Sequence, residues 1–377
     1  MVVFKASKFI LSGTSPGTTK STAHRLLLSH GYVHQVGNGL YSFLPLGQRV
    51  IDKLLRLVDY ELESIGAMKV HMPILGPRAI WEKTARWESM GAELFKIQDR
   101  HKQEMCLQPT AEEMCTELIA QLPLQKKRMF PLLIYQTTEK FRDEMNPRFG
   151  LLRSRQFLMK DLYTFDLNKD SASETYKNVC RVYDRILRDH LRLEVYKVVA
   201  QPGLHGGSIS HEYHLPNPLE EDGIHFCSNA FNALTKEKQP MEMCCFGIGI
   251  SRLLPAIVSL LSSSEKAIRL PTLIAPFSAA VVVTKGLMDN VMTELTLSSL
   301  DRRLSGGILL DDRVEDNVGK RIKELRAIGI PRIVVLGKAT EKTINKTPKV
   351  EYFPPQEDPE HDRSQEWTLN EVMQSMG

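Results

Sequence analysis

Two strand-like runs joined by a short basic loop constrain this chain more than any other feature. Residues 131–144 (PLLIYQTTEKFRDE) and 154–166 (SRQFLMKDLYTFD) both carry the pattern of strands, and the loop between them contains Asn146-Pro147. Side-chain alternation along the first run predicts Arg142 and Glu144 on one face of a sheet. Alone, such a pair reads as a surface ion pair. Here Arg148, Arg153 and Arg155 follow, concentrating positive charge where an anion must neutralise it. A polyphosphate fits, because guanidinium groups bind one through paired hydrogen bonds. Phe157, early in the second run, either lies flat against a base or belongs to the core.

The surrounding pattern sets the fold class. Residues 47–66 carry apolar positions at helical spacing and stop at Gly66, after which MKVHMPIL alternates like a strand as far as Pro73. A helix over 109–121 opens at Pro109, the capping-box pair Ser171 and Glu174 opens another, and LEVYKVVA (193–200) reads as a strand. Strands in consecutive runs flanked by helices predict an α+β domain with an antiparallel sheet. Composition shifts around 262–272. Beyond it, strands at 273–283, 307–311 and 332–336 alternate with helices at 286–304 and 316–328, which predicts a small α/β domain with a parallel or mixed sheet.

Charge and composition narrow the function only a little. A net charge of +4 suits a nucleic-acid partner without requiring one. Residues 271–377 hold 14 basic and 16 acidic side chains against 35 and 29 in the first 270, so any positive potential belongs to the larger part. Six cysteines without a CxxC spacing argue for reduced thiols rather than a zinc site or a disulfide framework. No window approaches the ~20 apolar residues of a membrane helix, so no membrane partner is expected. No acidic residue precedes Asp52, while Lys5, Lys8, Lys20 and Arg25 do. Residues 1–20 therefore read as a mitochondrial targeting segment, an ordinary terminus being the alternative.

Taken together, TEKFRDEMNPRFGLLRSRQFLMKDLYTF (138–165), GAMKVHMPIL with Pro73, and CCFGIGISR with Arg252 resemble motifs 2, 1 and 3 of class II aminoacyl-tRNA synthetases. GNGLYSFLPLG, LQPTAEE and GGSISHEY are similar to further signatures of the prolyl enzymes, of the mitochondrial type. The resemblance runs from about Ser21 to the C-terminus. It implies a class II antiparallel-sheet catalytic domain over 21–267 and a small α/β anticodon-binding domain over 272–377, with LLDDR (309–313) and IGIPRIVVLG (328–337) as landmarks. It further implies a ligase that activates L-proline with ATP to prolyl-adenylate and transfers it to tRNA(Pro). The implied place is the mitochondrial matrix, with the cytoplasm as alternative, and the implied assembly is a homodimer formed around Pro73. ATP enters with Mg2+; no zinc is implied.

The matching positions carry implied roles. Arg142 binds the α-phosphate and faces the carboxylate of proline, the two groups that the reaction joins, and with Arg252 forms the catalytic pair. Glu144 accepts from the adenine amino group, Arg153 belongs to the ATP site, and Phe157 and Arg252 sandwich the base. Gly247 and Gly249 let the backbone approach the nucleotide, although a GxG alone reads as a turn. Thr110 and Glu112 receive the two N–H donors of a secondary ammonium; otherwise Thr110 is a helix cap. Cys245 lies near the proline ring, or else is a small buried hydrophobe. Ser210, His211 and Glu212 resemble a responsive part of the pocket, and Lys320 and Arg321 are implied to meet tRNA, a solvated helix face being the alternative.

Two departures stand out. Between Asp166 and Met243 too few residues remain for the editing domain of many bacterial relatives. Alanine misactivation is therefore expected, since an apolar pocket rejects a smaller amino acid by only ~1–3 kcal/mol. Where the prolyl enzymes have a segment resembling GHxFxLGTKYS, this chain reads GIHFCSNAFNAL (223–234), with His225 in place of the family histidine and a short stretch missing. That keeps a second reading open: a catalytically impaired, synthetase-like tRNA-binding protein.

Overall fold

The computed structural model describes residues 2–15, 19–122, 127–200, 210–216, 242–262, 264–355 and 364–376. The chain divides into two compact units. The first comprises Met1–His34, Ser42–Lys53 and Ile257–Gly377; the second comprises Gln35–Tyr41 and Leu54–Ala256.

The second unit is built on a four-stranded sheet in the order Glu242–Gly249, Gln156–Asp166, Leu132–Phe141, Met68–Lys69. The first three strands are antiparallel, and the short fourth strand runs parallel to its neighbour. Strand register assigns every side chain to a face. The front face carries Gln136, Thr138 and Lys140 beside Phe157, Met159, Asp161 and Tyr163, which in turn stand beside Cys245, Gly247 and Gly249. The back face carries Lys160, Leu162 and Thr164 beside Cys244, Phe246 and Ile248.

Each face is covered by a helix. On the front, Ala111, Cys115 and Ile119, at and along the helix Glu112–Gln121, pack on Leu132, Ile134, Tyr163 and Phe165. Full burial of such side chains is worth ~1.5–3 kcal/mol each. On the back, the helix Lys169–Asp184 lays Tyr176 and Tyr183 against Phe246, with ring centroids 5.2 and 6.3 Å apart. The expected capping box at its start does not form. Asn168 is the N-cap and accepts from the Ser171 amide, while the Ser171 hydroxyl donates to the buried Asp166 carboxylate 2.6 Å away. A buried carboxylate two residues before the cap outcompetes the local motif.

The first unit holds a six-stranded sheet in the order Phe4–Lys5, Ile308–Asp311, Ala279–Val283, Ile333–Leu336, Lys349–Phe353, Gln365–Thr368. The first four strands are parallel and the last two antiparallel. Ala279–Val283 is buried at every position, as a parallel strand covered on both faces requires. Its outermost strand comes from the stretch read as a targeting segment. Phe4 and Phe9 pack on Phe277 at centroid distances of 5.4 and 5.6 Å, and Ser7 bonds Asp312 through both amide and hydroxyl. The Arg49 guanidinium lies over Phe4 and Phe277. The stretch forms the two-residue strand Phe4–Lys5 and then the short helix Ala6–Phe9.

Candidate active site

The first long strand ends at Phe141, before Arg142 and Glu144. Alternation therefore does not place that pair. The Arg142 amide donates to the Arg155 carbonyl at 2.9 Å, extending the pairing by one step, and the Asp143 amide then turns to the Glu93 carbonyl at 2.9 Å. The Arg142 guanidinium comes to rest 5.4 Å from the Phe157 ring centroid, with its Nε 3.8 Å from Glu93. Arg252, in the first turn of the helix Ile250–Leu261, lies 4.1 Å from the same centroid. Two arginines assigned to one nucleotide thus converge on one ring, which is only 2% exposed. Because Arg252 and Phe157 touch, a base enters between them only if the guanidinium swings away.

The loop carries its own counter-charges. Glu144 lies 3.5 Å from Arg153, and Arg155 lies 3.3 Å from Asp143. Such half-exposed pairs contribute little to stability, so an incoming phosphate competes with them cheaply.

At the turn expected to meet proline, the helix Glu112–Gln121 has Ala111 as N-cap without a side-chain cap. Thr110 is not the cap: its hydroxyl donates to Glu112 Oε1 at 2.7 Å. Arg86 reaches Glu112 at 3.2 Å and the buried Glu113 at 2.9 Å, bridging two adjacent carboxylates. Cys245 stands opposite Tyr163 on the front face and is exposed at its surface. Desolvation of the thiol, then the nearby Glu112 carboxylate, push it up.

The two glycines differ. A Cβ on Gly249 would press on the Arg252 side chain at 3.0 Å, so this glycine serves the arginine's position. A Cβ on Gly247 would meet only the Met159 sulfur, at an ordinary 3.7 Å. Packing does not demand glycine there.

Other assignments fall elsewhere. Ser210, His211 and Glu212 lie in the hairpin of Tyr196–Ala200 with Ser210–His214, and His211 Nδ1 is 2.8 Å from the Tyr176 hydroxyl, on the side of the back-face helix. His225 and the shortened GIHFCSNAFNAL stretch lie outside the described residues. In the first unit, Arg321 does not face solvent as an RNA contact requires. It is fully buried, donating to the Val283 and Asp311 carbonyls with its Nε 3.1 Å from the Asp311 carboxylate. Arg326 is likewise buried, bonded to the carbonyls of Ile330, Pro331 and Pro354. Lys320 and Lys323 remain on the surface of that helix. Among the described residues, no three His, Cys, Asp or Glu side chains gather as a metal site.

Gln136, Lys140, Asp161 and Tyr163 were not singled out from sequence, yet all are buried on the front face. The available signal was the Lys160-Asp161 pair inside the largely apolar run 157–165.

Comparison with known proteins points in one direction. Residues 95–260 match the tRNA synthetase class II core domain (G, H, P, S and T). The chain is 37% identical to a probable mitochondrial proline–tRNA ligase of Mus musculus, covering 84% of this chain and 78% of that protein. It is 32% identical to the corresponding Schizosaccharomyces pombe protein, covering 84% and 86%. Among solved structures, Giardia lamblia prolyl-tRNA synthetase in complex with prolyl-adenylate superimposes with a TM-score of 0.77 at 16% identity, over 97% of this chain and 78% of that one. At that identity the likeness speaks for the fold.

Proposed function

The chain belongs to the proline–tRNA ligase family, and from that premise we propose that the front face of its second unit joins ATP and proline by positioning and charge stabilisation alone. The reaction activates L-proline with ATP and charges tRNA. The observation that supports this site is the convergence of Arg142 and Arg252 on Phe157, with Cys245, Gly247 and Gly249 on the same sheet face. The Thr110 hydroxyl and Glu112 carboxylate take the two N–H groups of proline's ammonium. Its carboxylate, steered by Arg142, attacks the α-phosphorus of the magnesium complex of ATP, and pyrophosphate leaves. The terminal ribose hydroxyl of tRNA(Pro) then attacks the adenylate carbonyl and AMP leaves. A side-chain nucleophile is unnecessary. For the base to sit against Phe157, Arg252 moves to its other side, and Glu144 leaves Arg153 to accept from the adenine amino group.

The relatives' names support a mitochondrial protein, and we place it in the matrix. A homodimer through the segment around Pro73 is consistent with the exposed Tyr60 and with the exposed Met68 of the two-residue edge strand. The C-terminal sheet of the first unit serves as the anticodon-binding domain, with Lys320 and Lys323 facing RNA. Reversing both to Glu should weaken tRNA binding about tenfold and make its logarithmic salt slope shallower by about two. An unchanged slope would move the RNA elsewhere.

Arg142→Ala should reduce proline-dependent ATP–pyrophosphate exchange roughly a thousandfold without loss of tRNA binding. Near-normal exchange refutes the site. Absence of exchange in the wild type, with tRNA binding retained, favours the impaired reading that the shortened GIHFCSNAFNAL stretch keeps open.

A further inference from the structure

Beneath the Thr110–Glu112 turn runs a chain of buried polar groups that the reaction itself does not use. The Ala111 amide donates to the Tyr163 hydroxyl oxygen at 3.0 Å, and that hydroxyl donates to Asp161 Oδ2 at 2.7 Å. Gln136 donates to the same carboxylate oxygen at 2.9 Å and accepts from the Met72 amide at 3.1 Å. The other carboxylate oxygen lies 3.1 Å from the Lys140 ammonium, which also donates to Thr138 at 2.8 Å. Tyr163, Gln136, Lys140 and Asp161 are 1, 1, 2 and 3% exposed.

A buried ion pair costs more than well-packed apolar side chains would, so stability does not explain it. Nor does packing explain the tyrosine oxygen: the ring already fills the cluster with Ile134, Cys115 and Phe165, and phenylalanine would fill it equally. The turn explains both. Its helix lacks a side-chain cap, and the Thr110 hydroxyl donates its proton to Glu112. The Tyr163 hydroxyl grips the backbone between those two residues. Burial, then the Glu112 and Asp161 charges, push the phenol well up, so the hydroxyl keeps its proton and donates permanently to Asp161.

We propose that Tyr163, locked by the Asp161–Lys140 pair and Gln136, is a positioning residue for proline: it sets the height of the Thr110–Glu112 turn over the sheet, and so the affinity for the substrate ammonium. The proposal rests on the assignment of Thr110 and Glu112 to proline.

Tyr163→Phe in the full chain removes one oxygen and keeps the ring. The KM for proline in pyrophosphate exchange, and the Kd for proline by calorimetry, should rise about tenfold, with the KM for ATP unchanged within about twofold. Tyr183→Phe removes a buried phenol oxygen from the back face and should lower Tm without moving the proline KM. Gln136→Met, one bond further from the turn, should raise the proline KM about threefold, and serves if Tyr163→Phe does not fold. Equal rises in both KM values, or a lower Tm with unchanged proline affinity, would overturn the proposal. Glu112→Gln separates the failures. If it leaves proline affinity intact, the assignment of the turn falls and takes the proposal with it. If it weakens proline while Tyr163→Phe does not, only the positioning role falls.

Discussion

The two faces of the central sheet each bury a lysine, and they treat it differently. On the front, Lys140 lies 3.1 Å from Asp161, within a chain of hydrogen bonds that ends at the Thr110–Glu112 turn. On the back, Lys160 has the Tyr183 hydroxyl as a partner, with its ammonium 4.4 Å from that ring's centroid. Lys160 and Asp161 are adjacent in sequence, yet alternation sends them to opposite faces. Asp166, also on the back, closes on the helix that covers that face, through Ser171 and Thr175. Polarity on the front therefore leads toward the turn proposed to hold proline, whereas the polar groups of Lys160 and Asp166 on the back are absorbed by the fold. Substitutions on the two faces should separate accordingly, activity from stability.

Gly247 is the strongest place to break that division. A methyl group there fits the protein, meeting only the Met159 sulfur at 3.7 Å, so Gly247→Ala should alter folding stability by less than about 0.5 kcal/mol. If the nucleotide lies against the front face, the same methyl occupies its space. The value of kcat/KM for ATP should then fall about a hundredfold, near 3 kcal/mol, while the proline KM barely moves. Full activity in this variant would remove the nucleotide from that part of the sheet.

How much of this was legible beforehand follows from the range of each interaction. The long hairpin was readable to within a few residues from its local pattern, and the elements of the first unit were readable from apolar runs and helical spacing, although the strand expected from residue 273 begins only at Ala279. Cys245, Gly247 and Gly249 share a face with Phe157 once register is known, and the hairpin supplies part of it. The relation of Arg142 to Glu144 was misread because strand ends are set by partners such as the Arg155 and Glu93 carbonyls, which sequence pattern does not show. Arg321 was misread for a related reason. An arginine on a polar helix looks solvated until the carbonyls of Val283 and Asp311, 38 and 10 residues away, are seen to surround it. The pairing of Phe4 with Leu309 and the bond from Ala111 to Tyr163 are still longer in reach, and local pattern contains neither.

Lys160 tests the back face, with a smaller effect and the opposite readout. Burial drives its ammonium down to about 7, and the Asp161 charge only partly opposes this. Below about pH 7 both the folded and the unfolded chain carry the proton, and the folded state bears the full cost of a buried charge. Between pH 7 and the ordinary lysine value of 10.5, the unfolded chain binds a proton that the folded chain has released. Stability must therefore rise with pH across that window, by at most about 1.4 kcal/mol per pH unit. Urea unfolding at pH 7 and pH 8.5 should show the wild type gaining up to about 2 kcal/mol relative to Lys160→Met, whose stability lacks this slope. Because Lys160 points away from Phe157 and Tyr163, the KM values for ATP and proline should be those of the wild type at both pH values. Parallel stabilities would mean that Lys160 keeps its proton inside the fold. A changed proline KM would mean that the sheet transmits strain from one face to the other, and the separation drawn between them would no longer hold.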